Sequence, residues 1–367
     1  MILVEELFCY AREIGVDLIG VTGAEPFPAT RRLLEDRRRR GLYAPFAPAD
    51  LDRACNPALN LPGAKSIIAV GLVYYQGKFP PPGGYRGYLA RIAWGQDYHR
   101  VVGAKLELLQ DFLRREVPGS RHMAFVDTGP LLDKEVARRA GLGWFGKNTL
   151  LVTRFGSWVS LGGILTTVNL SPNSPKQKDC GNCDLCLRAC PTGALVAPGV
   201  LDPERCLSCL TQRKGYFPLD LRQALGSRLY GCDTCQEVCP HNRDIPVTAE
   251  PGFFPGGQEH RPQLVQLLGM NNREFKTAFG TSAAGWRGRT VLQRNALVAV
   301  GNLGDPDLLP VLENCLRDPR PVIRGHAAWA LGRLGNRRAR GALERALSGE
   351  GEPRVQREIR LALAGAV

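Results

Sequence analysis

What the chain lacks narrows it first. No apolar run in its 367 residues approaches the roughly 20 needed to cross a bilayer as a helix. The start, Met1 to Phe8, is interrupted by Glu5 and Glu6, which excludes a secretory signal with an apolar centre. Arg31-Arg32 has the look of a twin-arginine export signal. However, Glu35, Asp36 and Arg37 to Arg40 stand where an apolar stretch is required. A cytoplasmic protein with no membrane partner is expected. Lysine is absent from the tail between Arg287 and Arg360, which holds fourteen arginines against eight Asp plus Glu.

What is present is ordinary in bulk and unusual in detail. Hydrophobic residues at 44% and charged residues at 23% fit a soluble globular chain. The length predicts two or three domains with substantial cores. A formal net charge of +13 favours a polyanionic partner, nucleic acid first, against the bland alternative of arginine-rich solubility.

The chain is organised around its cysteines. Cys180-x2-Cys183-x2-Cys186-x3-Cys190-Pro191 is the bacterial ferredoxin run, in which three cysteines hold one iron–sulfur cluster and the fourth ligates another. Cys206-x2-Cys209 and Cys232-x2-Cys235-x3-Cys239-Pro240 follow. The exchange pattern gives Cys180, Cys183, Cys186 and Cys239 to one 4Fe–4S cluster. Cys190, Cys232, Cys235 and either Cys206 or Cys209 go to the second. Four cysteines in one tight run ending in Cys-Pro are not spaced as a zinc ribbon, and disulfides need an oxidising compartment.

Before the cysteines, helices and strands alternate. Helices are predicted over residues 3–14, Thr30 to Arg40 and Gln96 to Val117, the last with a stripe of Val101, Leu106, Leu109 and Leu113. Strands are predicted at Leu18 to Val21, Ser66 to Tyr75, Met123 to Val126, Leu150 to Thr153 and Trp158 to Val168. A helix should open at Pro130 and end at Gly141. Phe79 to Gly87, rich in proline and glycine, reads as a loop. An α/β or α+β domain over 1–170 is expected, with Ser171 to Lys178 as the linker.

Gly141-x-Gly143-x-x-Gly146-Lys147 imitates a dinucleotide or phosphate loop. Both need a strand before and a helix after, and Asn148 stands where a magnesium-binding Ser or Thr belongs. Nucleotide binding is therefore excluded here. In the tail, Arg294 to Gly304 recurs as Arg324 to Gly335, with the glycines 31 apart and a degenerate third copy over Val355 to Ala364. That period predicts a small α-solenoid of HEAT type. Its arginines suit either a solvated helix face or a surface that forks onto phosphates.

The ordered motifs carry a resemblance. They are Gln96-Asp97-Tyr98-His99, Val126-Asp127-Thr128-Gly129-Pro130, Ala140 to Leu150, and Phe155-Gly156-Ser157-Trp158. Cys190-Pro191-Thr192-Gly193-Ala194 and Tyr230-Gly231-Cys232-Asp233 complete the set. With these, nearly the whole chain resembles the epoxyqueuosine reductases, cobalamin-dependent enzymes that finish the tRNA nucleoside queuosine. The resemblance implies three parts: a cobalamin-binding catalytic domain over 1–170, a ferredoxin-like two-cluster domain over 171–260, and a HEAT-like tRNA-contacting domain over 261–367. The family has Tyr where Cys209 stands, so the second set becomes Cys190, Cys206, Cys232 and Cys235. The Asp127 motif departs by having Thr-Gly for Ser-Ala. The segment Tyr88 to Trp94 has no cysteine where some relatives place one near cobalt, so no thiol contribution is expected.

The implied reaction turns a cyclopentane epoxide into an alkene with loss of water, taking two electrons and two protons. By resemblance Asp127 is the proton donor, against the plainer reading of a turn or helix-cap aspartate before Pro130. His99 either serves Asp127 or is structural. Cobalamin-side residues implied by the resemblance are Tyr98, His99, Asp127, Lys147, Asn148 and Phe155 to Trp158 (Phe155, Gly156, Ser157, Trp158). Thr211, Gln212, Lys214 and Gly215, which follow Cys206, join them as residues expected to close over the cofactor. The expected partners are the anticodon stem-loop of tRNA and an external electron donor of flavodoxin or ferredoxin type, with the protein a monomer. A reductive dehalogenase is the rival enzyme, but it would carry an export signal and no HEAT tail. A non-enzymatic iron–sulfur carrier binding nucleic acid would leave the first domain unexplained.

Overall fold

The structure, a computed structural model, describes residues 2–79, 83–255 and 260–366. Pro80 to Pro82, within the loop expected from Phe79 to Gly87, lie outside the described residues. The chain divides into two compact units. One comprises Met1–Lys78, Gly95–Glu204 and Asp233–Gly256; the other comprises Phe79–Trp94, Arg205–Cys232 and Gly257–Val367.

The first unit is built on a four-stranded sheet in the order Leu18–Gly23, Ser66–Val73, Val159–Thr166, His122–Phe125. Every pairing in it is antiparallel, which resolves the mixed class to α+β. Ser66–Val73 is buried at all positions, as its continuous apolar run requires. The helix Tyr98–Glu116 lays Val102 and Leu106 against Gly162. The helix Asp133–Arg139 sends Val136 and Ala137 into a core with Ile67, Ala69 and Leu165. Since side chains alternate along a strand, Gly162 and Leu165 face opposite sides, and the two helices cover both faces.

Two details position the site. A Cβ on Gly163 would stand 2.6 Å from the Phe125 ring and 2.7 Å from the Ile68 carbonyl oxygen, so the bare backbone there lets Phe125 lie across the sheet. Phe125 ends its strand two residues before Asp127. The helix expected to open at Pro130 begins instead at Asp133. The Asp127 N–H binds the Asp133 carboxylate, and residues 126–132 form a turn around that bond rather than a helical start. Gly141, at φ 75°, follows the helix end as predicted. The glycines after it lead into the hairpin Gly143–Phe145 with Leu151–Thr153, which is not a phosphate loop.

The second unit pairs the short strands Tyr88–Leu89 and Arg228–Tyr230 in parallel and continues into helices Arg289–Leu303, Leu309–Cys315, Pro321–Leu334, Arg337–Gly349 and Pro353–Leu363. The predicted repeat is visible in its caps. Gly304 and Gly335 close equivalent helices in the left-handed conformation, at φ 65° and 63°. Gly301 abuts the Trp329 ring so closely that a Cβ would stand 2.4 Å from it. Buried Arg222 forks onto Glu358 at 2.8 and 2.7 Å, tying the unit's shorter segments to its last helix. Among the described residues no helix is long and apolar enough to cross a membrane.

Gly163→Ala would overpack the sheet at Phe125 and is expected to cost about 1–3 kcal/mol. Anaerobic thermal melting of the holo-protein reads this as a lowered midpoint; an unchanged melt would refute the packing account.

Candidate active site and iron–sulfur centre

Asp127 occupies the turn between the edge strand His122–Phe125 and the helix Asp133–Arg139. Its φ of 44° puts it in the left-handed region, which aspartate tolerates better than most side chains. The Tyr98 hydroxyl donates to its Oδ2 at 2.5 Å, and His99 Nε2 stands 3.7 Å from the same oxygen. Both neighbours come from the first turn of the helix Tyr98–Glu116. Asp97 caps that helix through the His99 N–H at 3.0 Å and binds His99 Nδ1 at 2.7 Å. The result is a line from Asp97 through His99 to Asp127, with the Asp127 side chain 60% exposed at its open end.

The electrostatics follow from these contacts. The hydrogen bond to Asp97 raises the His99 pKa, and the Asp97 and Asp127 charges reinforce it against the opposing effect of burial. His99 Nε2 is inaccessible to solvent and has no hydrogen-bond partner among the described residues, with Asp127 Oδ2 3.7 Å away. Asp133 is the second acid of the site. Its Oδ2 accepts the Asp127 N–H, while its Oδ1 is buried without a partner. Burial, then the Asp127 charge beside it, pushes the Asp133 carboxyl up to about 8.

The second feature is a cavity of about 180 Å³ into which Cys180, Cys183, Cys186 and Cys239 project. That is room for a body of many atoms rather than a single ion. Burial pushes the Cys186 thiol up, with Cys180 and Cys239 adding to it as close neighbours. These are the four cysteines that the ferredoxin spacing assigns to one cluster, and the arrangement fits it. Of the remaining cysteines, Cys190 receives the Ala194 N–H on its sulfur at 3.3 Å. Burial would raise its pKa, but the amides of Thr192 and Leu195 outweigh that and hold it below the usual thiol value. Burial pushes the Cys206 thiol up to about 11, with Cys232 and Cys209 among its neighbours.

The other expected site residues fall into separate places. Lys147 and Asn148 line the four-cysteine cavity, where Lys147 Nζ donates to the Gly181 carbonyl at 2.6 Å. Phe155 to Trp158 form a tight turn that grips the cluster segment: Ser157 N donates to Asn242 Oδ1 at 2.6 Å and Ser157 Oγ to Gln236 Oε1 at 2.9 Å. Gly156 is required there, since a Cβ would stand 2.1 Å from Asn242 Oδ1. Trp158 is buried against Tyr74 and Tyr75. In the second unit, Thr211 is fully buried, accepting from Gly231 N at 2.9 Å and donating to the Ser208 carbonyl at 3.0 Å. Gln212 bonds Ser208 and Trp286, and Lys214 and Gly215 are exposed.

Residues 54–128 match the family described as epoxyqueuosine reductase QueG, DUF1730. Residues 179–242 match the 4Fe-4S double cluster binding domain, and 287–364 match HEAT repeats. An epoxyqueuosine reductase of Listeria monocytogenes is 44% identical over 97% of this chain and 96% of its own length. The Bacillus subtilis one is 43% identical over 97% and 94%. The chain belongs to the epoxyqueuosine reductase family. Membership makes it an oxidoreductase, and the double-cluster match agrees with the four-cysteine cavity. A solved epoxyqueuosine reductase bound to an epoxyqueuosine-modified tRNA-Tyr stem loop is 43% identical, with a TM-score of 0.96 over 99% of this chain and 98% of that one. A Bacillus subtilis structure, 42% identical at the same TM-score over 99% and 98%, has its catalytic aspartate loop swung out of the active site.

Sequence reasoning reached Tyr98, His99 and Asp127 but missed Asp97 and Asp133. Asp97 fell inside the helix expected from Gln96, whereas the helix begins at Tyr98 with Asp97 as its N-cap. Asp133 left only a weak trace, an acid in a helix's first turn.

Asp133 has a pH signature. A free carboxyl ionises near 4, so between about pH 4 and pH 8 the folded protein holds a proton that the unfolded chain releases. Stability therefore falls as pH rises through that window. Asp133→Asn, which keeps an oxygen for the Asp127 N–H, removes the effect. The variant's melting temperature is expected to gain on the parent's from pH 5 to pH 8, by the equivalent of about 3–4 kcal/mol. Parallel melting curves at both pH values would contradict a buried, protonated Asp133.

Proposed function

We propose that the protein reduces epoxyqueuosine to queuosine in a tRNA anticodon loop, with Asp127 donating a proton to the departing epoxide oxygen. The observation that carries this is the Asp127 carboxylate, fixed by Tyr98 and backed by His99 while its outer side stays open. Epoxide to alkene plus water consumes two electrons and two protons, and no side chain in this site can supply the electrons. Cobalamin, which the resemblance assigns to Tyr98, His99 and Asp127, would supply low-valent cobalt as the reactive atom, and the two 4Fe–4S clusters would supply electrons one at a time.

The chain's own residues handle the protons. Tyr98 orients Oδ2 of Asp127 at 2.5 Å. Asp97 accepts from His99 Nδ1 and favours the imidazolium, whose Nε2–H then faces Asp127 and returns a proton after each transfer. Asp133 accepts the Asp127 N–H, which holds the carboxylate beside Tyr98 and His99 in this conformation of the turn. The aspartate loop seen swung out in the Bacillus subtilis relative supports reading this exposed turn as movable.

The three-part division assigns catalysis to 1–170, two clusters to 171–260 and tRNA contact to 261–367. Cys190, Cys206, Cys232 and Cys235 are proposed for the second cluster, from the ferredoxin spacing and, for Cys206 over Cys209, from the family resemblance. The tRNA partner is supported by the stem-loop complex of a relative and by the net charge of +13. Among the tail's arginines, Arg294 is buried, and Arg320 and Arg324 pair with Asp318 and Glu350. The exposed Arg317, Arg333, Arg337, Arg357 and Arg360 remain for phosphates. A flavodoxin or ferredoxin system is proposed as donor, and the protein as a cytoplasmic monomer.

Two measurements test this. With epoxyqueuosine-tRNA, a chemical reductant and cobalamin under anaerobic conditions, Asp127→Asn is expected to keep both clusters and cobalamin but lose about 100-fold or more in turnover, scored by nucleoside mass spectrometry. Full activity would remove Asp127 from the donor role. Separately, Cys206→Ser is expected to lose about half of the bound iron and one cluster's electron paramagnetic resonance signal, while Cys209→Ser keeps both. The reverse outcome would exchange the two assignments.

A further inference from the structure

Trp286 lies just before the first repeat helix and is 50% exposed, which is unusual for the largest apolar side chain. It is not loose. Its Nε1 donates to the Tyr230 hydroxyl at 3.1 Å and to Gln212 Oε1 at 3.3 Å, which fixes the plane of the indole. Arg287 stacks on the ring, with its guanidinium carbon 4.4 Å from the centroid. The arginine is anchored too, since its Nε donates to the Gln212 carbonyl at 2.6 Å. Gln212 is held in turn by the Ser208 carbonyl at 2.9 Å, and exposed Lys214 lies two residues on.

The backbone beneath is equally fixed. Arg294 Nη1 donates to the carbonyls of Arg213 at 2.7 Å and Gly215 at 2.9 Å, and its Nη2 reaches the Leu210 carbonyl at 3.0 Å. Asn295 Nδ2 donates to the Thr211 carbonyl at 2.8 Å. A side chain that served only packing would not expose half its surface on so rigid a mount. A flat aromatic of fixed orientation, with a guanidinium stacked on it, has the chemistry that grips unpaired bases. Proteins read single-stranded RNA loops by stacking splayed bases on aromatic rings and arginine planes.

We propose that Trp286 and Arg287 form a stacking platform for an unpaired nucleobase of the substrate tRNA's anticodon loop. This rests on the reading of the protein as a tRNA reductase and adds the residue pair that holds the loop. Reaching a target base inside a folded loop requires its neighbours to unstack, and a platform for one of them lowers that cost.

The test uses full-length protein with intact clusters and a fluorescein-labelled anticodon stem-loop RNA, read by anisotropy. Trp286→Ala is expected to weaken binding about tenfold, and Trp286→Phe to retain most of it. Replacing loop nucleotides one at a time by abasic sites should reveal one position where parent and Trp286→Ala bind equally weakly. Binding by Trp286→Ala within twofold of the parent overturns the platform, as does a penalty that persists at every abasic position. If turnover falls only when a flavodoxin replaces the chemical reductant, with RNA affinity unchanged, the face serves a protein partner and the proposal fails. A parent protein that binds no stem-loop would instead sink the tRNA reading itself.

Discussion

The stretch Asp233–Gly256 carries Cys235 and Cys239 with one buried apolar side chain among its described residues, Phe253, so hydrophobic burial does little to hold it. A buried hydrogen-bond network does that work instead. Asn242 Nδ2 donates to the Gln236 carbonyl at 2.8 Å and to Ser157 Oγ at 2.9 Å, while Ser157 returns bonds to both partners. Each group is shielded from water, so losing one partner leaves the others unsatisfied at a cost of about 1–3 kcal/mol. The position of Cys239 in its cavity therefore depends on a turn at Phe155 to Trp158, far away in the chain. A thiolate cage needs fixed sulfurs, and this clasp is how the sheet supplies rigidity to a segment without its own core.

The proton side of the site uses the same economy. Asp97 satisfies the first amides of a long helix and also grips His99, so one carboxylate sets both backbone and imidazole. Asp127 accepts the strain of a left-handed backbone because its N–H finds the Asp133 carboxyl oxygen. Acids packed this closely cannot both ionise without penalty, and burial decides which one yields: Asp133 keeps its proton and Asp127 faces solvent.

Charge in the tail divides by burial. A row of arginines without lysine reads as a phosphate surface, yet Arg294 lies inside and caps backbone carbonyls of the segment that follows Cys206 and Cys209. Arg222, outside the repeats, does the same for the Phe217 carbonyl while paired to Glu358. Five planar donors let a buried arginine satisfy several carbonyls at once, which lysine cannot do. Part of the arginine content is thus structural, and only the remainder is exposed.

By itself the sequence determined the features that local spacing dictates. The cysteine runs specify clusters because ligand geometry is encoded in their intervals, and the repeat appears as glycines 31 apart because each caps an equivalent helix. The central strand Ser66–Val73 was legible from its unbroken apolar run. Only the tertiary structure decided what depends on residues distant in the chain. It showed the sheet to be antiparallel, moved the helix start from Pro130 to Asp133, and brought Asp97, His99, Asp127 and Asp133 together. It also placed Lys147 and Asn148 beside the cysteines and took Arg294 out of the surface. The reason is physical: spacing along the chain fixes what neighbours can do, but burial and long-range hydrogen bonding set a side chain's charge and exposure. Those are properties of the packed chain.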